Sequence, residues 1–193
     1  MRNFGSGIII LALLALAGCG GDVRLTQQEI SPVYKAGEFA YAGAGRDLRV
    51  VVAGNPFGGD QGEFDDAVTG YMQGNHWGQP ANFTTRPGAS AREAYHVVML
   101  FNPPKTFPGM KLCREKPADL PSEAAAPGAG VVLFAAFCRR NESLTEIKGH
   151  IAAVGGPADP RFGDLVAAVT QGLFPPQRRF DDDRGCKTWL RCR

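Results

Sequence analysis

The chain has 193 residues, with 21 Lys and Arg against 19 Asp and Glu, a formal charge of +2. Near neutrality argues against electrostatic capture of nucleic acid or of an anionic bilayer by the molecule as a whole. A hydrophobic content of 44% is that of a globular chain, although Gly 25 and Pro 14 call for many turns, so disorder throughout is excluded and one domain with a real core is expected.

In chain order, a basic start at Arg2 precedes an apolar run from Ile8 to Ala17, and small residues follow. The run falls short of the ~20 residues a spanning helix needs, so it reads as a cleaved export signal. It closes on Leu16-Ala17-Gly18-Cys19. This tetrad resembles the lipobox of bacterial lipoproteins, placed as in that family directly after the apolar run. The resemblance covers export alone, about the first 21 residues. It implies cleavage after residue 18, acylation of Cys19, and a bilayer as partner through that lipid. Gly20 stands where an Asp favours the inner membrane in such proteins, which implies an outer-membrane anchor facing the periplasm. Removing residues 1–18 takes away Arg2 alone among the charges, leaving 20 basic against 19 acidic residues.

With Cys19 lipidated, four cysteines remain in a chain bound for an oxidising compartment. Nearest neighbours pair Cys113 with Cys138 and Cys186 with Cys192. On loop-closure entropy the first bridge is worth about 3.5 kcal/mol and the second about 2. No CxxC spacing is present for metal or redox work.

Residues 19–46 show little apolar periodicity and a small-residue cluster from Ala40 to Gly45, the pattern of a lipidated tether with one short ordered stretch. A single domain is expected over residues 47–176. It opens with a strand at Leu48 to Ala53, then a glycine and proline turn, Gly54 to Gly59. Asp60 and Glu63 form a capping box for a helix with Phe64, Ala67, Val68, Tyr71 and Met72 on one face, ending near Gly74. A polar stretch holds a short strand near Phe83 to Thr85. Tyr95 to Phe101 is another strand, stopped by Asn102-Pro103-Pro104. Lys105 to Gly130 reads as loop. Val131 to Arg139 and Leu144 to Val154 flank Arg140-Asn141-Glu142-Ser143 as an antiparallel hairpin. Asp159-Pro160 then starts a helix with Phe162, Leu165, Val166, Val169 and Leu173 at core spacing. Residues 177–193 form a charged tail. The expected fold is α+β: a mostly antiparallel sheet of about four strands with two amphipathic helices on one face.

No GxSxG, HExxH, Walker A or EF-hand pattern occurs. No cofactor or metal is expected, because Asp181-Asp182-Asp183 lacks the spacing of a calcium loop and Gly43-Ala44-Gly45 precedes a strand instead of following one. The turn at Gly54 to Gly59 resembles an anion loop only in outline, since acidic residues crowd the helix start. The two sequons, at Asn82 and Asn141, carry no weight in a bacterial lipoprotein. His150 belongs on the solvent face of its strand and His96 among packed residues. The leading reading is a non-enzymatic binding or scaffolding protein that meets an envelope protein or glycan through a surface containing His76, Trp77, Asn82 and Arg86. Its competitor is a periplasmic hydrolase in which His76 works with Asp65 or Asp66.

Overall fold

In a computed structural model, residues 23–124 and 129–176 are described. Strand β1 spans Arg24–Ile30, helix α1 Ala36–Gly43, strand β2 Asp47–Ala53 and helix α2 Gln61–Met72. Strands β3 (Asn82–Thr84) and β4 (Tyr95–Phe101) follow, then the hairpin β5 (Val131–Arg139) and β6 (Glu142–Ile151), and helix α3 (Pro160–Leu173). The six strands form one sheet in the order β1-β6-β5-β4-β2-β3. The α+β class expected from the sequence is therefore what the chain adopts.

Local chemistry explains the elements. The Asp60 side chain accepts a hydrogen bond from the Glu63 amide at 2.8 Å, and Asp159 accepts one from the Arg161 amide at 3.0 Å. Each thus satisfies a free N–H of its helix start. The helical spacing delivers Phe64, Val68 and Met72 from α2, and Phe162, Leu165, Val166, Val169 and Leu173 from α3, into the core. In the hairpin, Arg139 stands opposite Glu142, with Arg140 at φ 54° in the turn.

Three features depart from the sequence expectation. First, the stretch read as a tether supplies β1 and α1. β1 pairs with β6, yet all seven of its residues are exposed, so it has no apolar alternation to betray it. Second, the sheet is mixed, because β2 runs parallel to both β3 and β4. The intervening helix α2 carries the chain back to the starting end of β2, and the next strands must then run the same way. Third, there are three helices, not two; α1 contributes Phe39 and Ala42 to the same core as α2 and α3.

Alternate residues of each strand serve the two faces. On the helix-covered face Leu48, Val50, Val97, Met99, Phe101, Leu133 and Phe137 meet the helices. On the other, Val98, Leu100, Phe134, Ala136 and Cys138 are covered by a strap, residues 102–124, through Phe107, Leu112, Cys113 and Leu120. The expected loop is thus a packed cover containing two single turns of 3₁₀ helix. A disulfide joins Cys113 to Cys138, with a Cα–Cα distance of 5.6 Å. Gly54, at φ 79°, lets the strap close: a Cβ there would collide with Ser122, whose hydroxyl donates to the Phe101 carbonyl at 2.7 Å. The Cys186 to Cys192 pairing, Cys19 and the acidic run at 181–183 lie outside the described residues. Among those described, no helix is long and apolar enough to cross a membrane.

Candidate functional site

Two hollows lie near the end of the sheet where β1 finishes. Ile30 pairs with Thr145, and the Ser31 amide donates to the Leu144 carbonyl, so β1 hands the chain to α1 beside the hairpin turn. Residues at the two ends of α1 then line both hollows.

The first contains residues singled out from the sequence. Trp77 is 55% exposed and, with Tyr34, Phe39, Phe174, Pro175 and Pro176, borders a hollow of about 450 Å³. Tyr34 donates its hydroxyl to the Pro175 carbonyl at 3.1 Å, and burial pushes its pKa up to about 12. His76 sits edge-on to Phe39 at 5.0 Å and to Phe83 at 5.5 Å, capping an aromatic cluster that includes Phe174. Its Nδ1 lies 3.4 Å from the Trp77 carbonyl.

Asn82 and Arg86 do not join this hollow. Asn82 donates to Asp47 at 2.7 Å, and Asp47 also accepts from the Gly88 amide at 2.7 Å. Those two hydrogen bonds, the Asn82 one first, hold the Asp47 carboxyl below its ordinary pKa. Arg86 pairs with Asp66 at 2.6 Å across the exposed surface of α2. Both residues therefore fasten loops.

The groups named for the hydrolase reading have other partners. Asp65 accepts from Gln61 at 2.7 Å and Asp66 is held by Arg86, while neither forms a hydrogen bond with His76. Burial, first among its causes, raises the Asp65 pKa, and the Gln61 hydrogen bond opposes it. The turn at Gly54 to Gly59 is closed by Asn55, which accepts from the Phe57 amide and donates to the Gly58 carbonyl. His150 is exposed, as its alternation requires. His96 is partly buried, and burial first, then the Arg49 charge, lowers its pKa. No group of three or more His, Cys, Asp or Glu among the described residues is placed to hold a metal ion.

The second hollow escapes any local reading of the sequence. Two adjoining concavities of about 870 and 750 Å³ share Tyr41, Ala94 and Tyr95. Arg114, Arg139 and Arg140 line one; Arg46 and Arg92 line the other; Glu142 and Glu93 are the acids along them. Tyr41 is 52% exposed, with the Arg92 guanidinium 4.0 Å from its ring centroid and the buried Tyr95 ring edge-on at 5.8 Å. Beneath them Glu38 of α1 accepts from the Tyr95 hydroxyl at 2.6 Å and from Arg139 at 3.1 Å, and Arg139 also holds Glu142 at 3.0 Å. Burial, then the hydrogen bond to Glu38, raises the Tyr95 pKa, so its hydroxyl keeps its proton at neutral pH. Arg114 and Arg140 use only their backbone groups in hydrogen bonds among the described residues. Both residues line the hollow, and their guanidinium groups make no hydrogen bond or ion pair among the described residues.

No family model matches the chain, and no curated protein matches it. Among solved structures it is similar to the PelC dodecamer from Paraburkholderia phytofirmans in space group P6, with 11% identity over 80% of this chain and 99% of that one, at a TM-score of 0.45. It is also similar to a single-residue variant of that dodecamer in space group C2, with 13% identity over 79% and 98%, at a TM-score of 0.42.

Proposed function

We propose that this protein is a lipid-anchored component of a bacterial envelope that binds or scaffolds another envelope component without catalysing a reaction. The observation that carries the reading is the run Leu16-Ala17-Gly18-Cys19 behind an apolar export segment. The Cys113 to Cys138 disulfide supports it, because such bonds persist in oxidising compartments.

The anchor also limits how far the domain can stand from the bilayer. Arg24, the first residue of β1, is five residues beyond Cys19, and five extended residues reach at most about 18 Å. The lipid would therefore hold the starting end of β1 close to the bilayer. Arg24 is level with His150 and, across β6, with Val132. Seven residues of β5 separate that level from Arg139, about 23 Å at the rise of a strand. Both hollows thus lie at the end of the sheet farther from the attachment point. Gly20 after the acylated cysteine favours the outer membrane with the body in the periplasm.

Labelled palmitate supplied to cells should enter the protein, and Cys19→Ser should abolish both the label and recovery in the membrane fraction. Unlabelled, uncleaved protein in the cytosolic fraction would overturn the reading.

A further inference from the structure

The observations carry furthest at the arginine-lined hollow. Its walls hold five arginines against two glutamates, in a chain whose overall charge is close to neutral. They come from four separate stretches of chain, and the fold gathers them at one end. The disulfide ties two of these stretches. Cys113 is followed by Arg114 and Cys138 by Arg139 and Arg140, so the Sγ–Sγ bond ties a strap arginine to the hairpin arginines. Arg139 is already committed to Glu38 and Glu142 and braces the floor. Arg92 donates its Nε to the Tyr41 carbonyl at 3.3 Å and lies against the Tyr41 ring, which leaves Arg114 and Arg140 to meet a ligand.

The shape narrows its class. Two concavities joined at Tyr41, Ala94 and Tyr95, with arginines on both sides of the joint, suit an extended ligand with repeated negative charge better than a single ion. The exposed part of the Tyr41 ring offers a surface for sugar C–H groups. Arginine forks and the Tyr41 hydroxyl supply the donors that carboxylate and hydroxyl oxygens require. A bilayer headgroup is disfavoured by position, since the hollow lies at the end of the sheet remote from the anchor.

We infer that this hollow binds an acidic saccharide chain, with Arg114 and Arg140 pairing to its anionic groups and the part of the Tyr41 ring that Arg92 leaves exposed packing on a sugar ring. The inference rests on the reading of the protein as a non-enzymatic envelope binder and names the class of partner.

The test is a calorimetric titration of the purified full-length protein in detergent with a galacturonic acid hexamer. Maltohexaose serves as the neutral control, with polyglutamate and phosphatidylglycerol vesicles as anions of other classes. The galacturonate chain should bind, with affinity that falls as salt is added, because exposed charges are screened. Arg114→Ala and Arg140→Ala should each weaken it about tenfold, the loss of one charge-assisted pair. Both side chains are exposed, so the variants should keep the wild-type melting temperature. Binding of maltohexaose as tight as that of galacturonate, unchanged affinity in both variants, or preference for polyglutamate or vesicles would overturn the inference. Failure of the palmitate experiment would leave this titration unaffected, so the two readings fall separately.

Discussion

The two faces of the sheet are stabilised by different means. The helix-covered face is a continuous hydrophobic core in which Phe162 alone meets the rings of Phe57, Phe64, Tyr71 and Phe101 at 5.2 to 6.1 Å. The strap-covered face buries far fewer side chains, under a segment with only single 3₁₀ turns, and adds a covalent bond. A helix brings its own backbone hydrogen bonds and presents a whole apolar stripe, whereas a strap must be fastened point by point. Ser122, the Glu123 amide to the Asn102 carbonyl, and the disulfide are the fastenings.

Four experiments separate these modes. Phe162→Ala should cost the most, about 4 kcal/mol, by emptying the centre of the aromatic cluster; chemical denaturation should show a lower midpoint without loss of cooperativity. Cys113→Ser with Cys138→Ser should cost about 3.5 kcal/mol on loop-closure grounds. Its signature differs, since proteolysis should nick residues 102–124 first while the helical face persists, and the saccharide affinity should drop with the freeing of Arg114. A simultaneous loss of both faces would show that the strap is integral to one cooperative unit.

Gly149→Ala should cost about 2 kcal/mol by overpacking. α3 rests against the β6 backbone there, and a Cβ would collide with Val169 and lie 2.8 Å from Leu165. A melting temperature unchanged by this substitution would mean that α3 sits more loosely than described.

The smallest effect belongs to Glu146, a buried carboxylate on the strap-covered side. Burial is the first cause raising its pKa above the ordinary 4.5, and the Glu29 charge adds to it. The folded state therefore holds this proton more tightly than the unfolded chain. Its penalty is present above the folded pKa and is relieved as pH falls towards 4.5, where the folded form gains the proton first. Glu146→Gln should accordingly melt higher than wild type at pH 8 and lose that advantage on acidification. A lower melting temperature at pH 8 would show that the carboxylate has a stabilising role.

Sequence patterning captured α2 and α3, which carry both a capping aspartate and a helical apolar stripe, and the existence of the β5–β6 hairpin. The hairpin's details differ: its turn is shorter than the four residues expected, since β6 starts at Glu142, and its strands are buried on both faces. The same logic failed at β1, whose stability comes from pairing with β6 and not from burial, and at α1, whose Ala and Gly residues look like linker until Phe39 and Ala42 find a core. The parallel course of β2 and β4 is a tertiary fact with no local signal. Trp77 was visible as an exposed aromatic candidate because it stands in a polar stretch. The arginine hollow was not, because Arg46, Arg92, Arg114 and Arg139 are scattered along the chain. One clue was present: a bond between Cys113 and Cys138 brings the basic residues that follow each cysteine together.

The seating of β1 bears on the order in which the molecule assembles. The strand nearest the start of the chain pairs with residues 145–150, so more than a hundred residues must emerge before its partner exists. Until then β2 to β5 can organise around α2 while β1 waits, and closing so long a loop is slow because its entropy must be met before any contact rewards it. Under the export reading proposed above, the segment next to the lipid is then the one whose pairing partner arrives last.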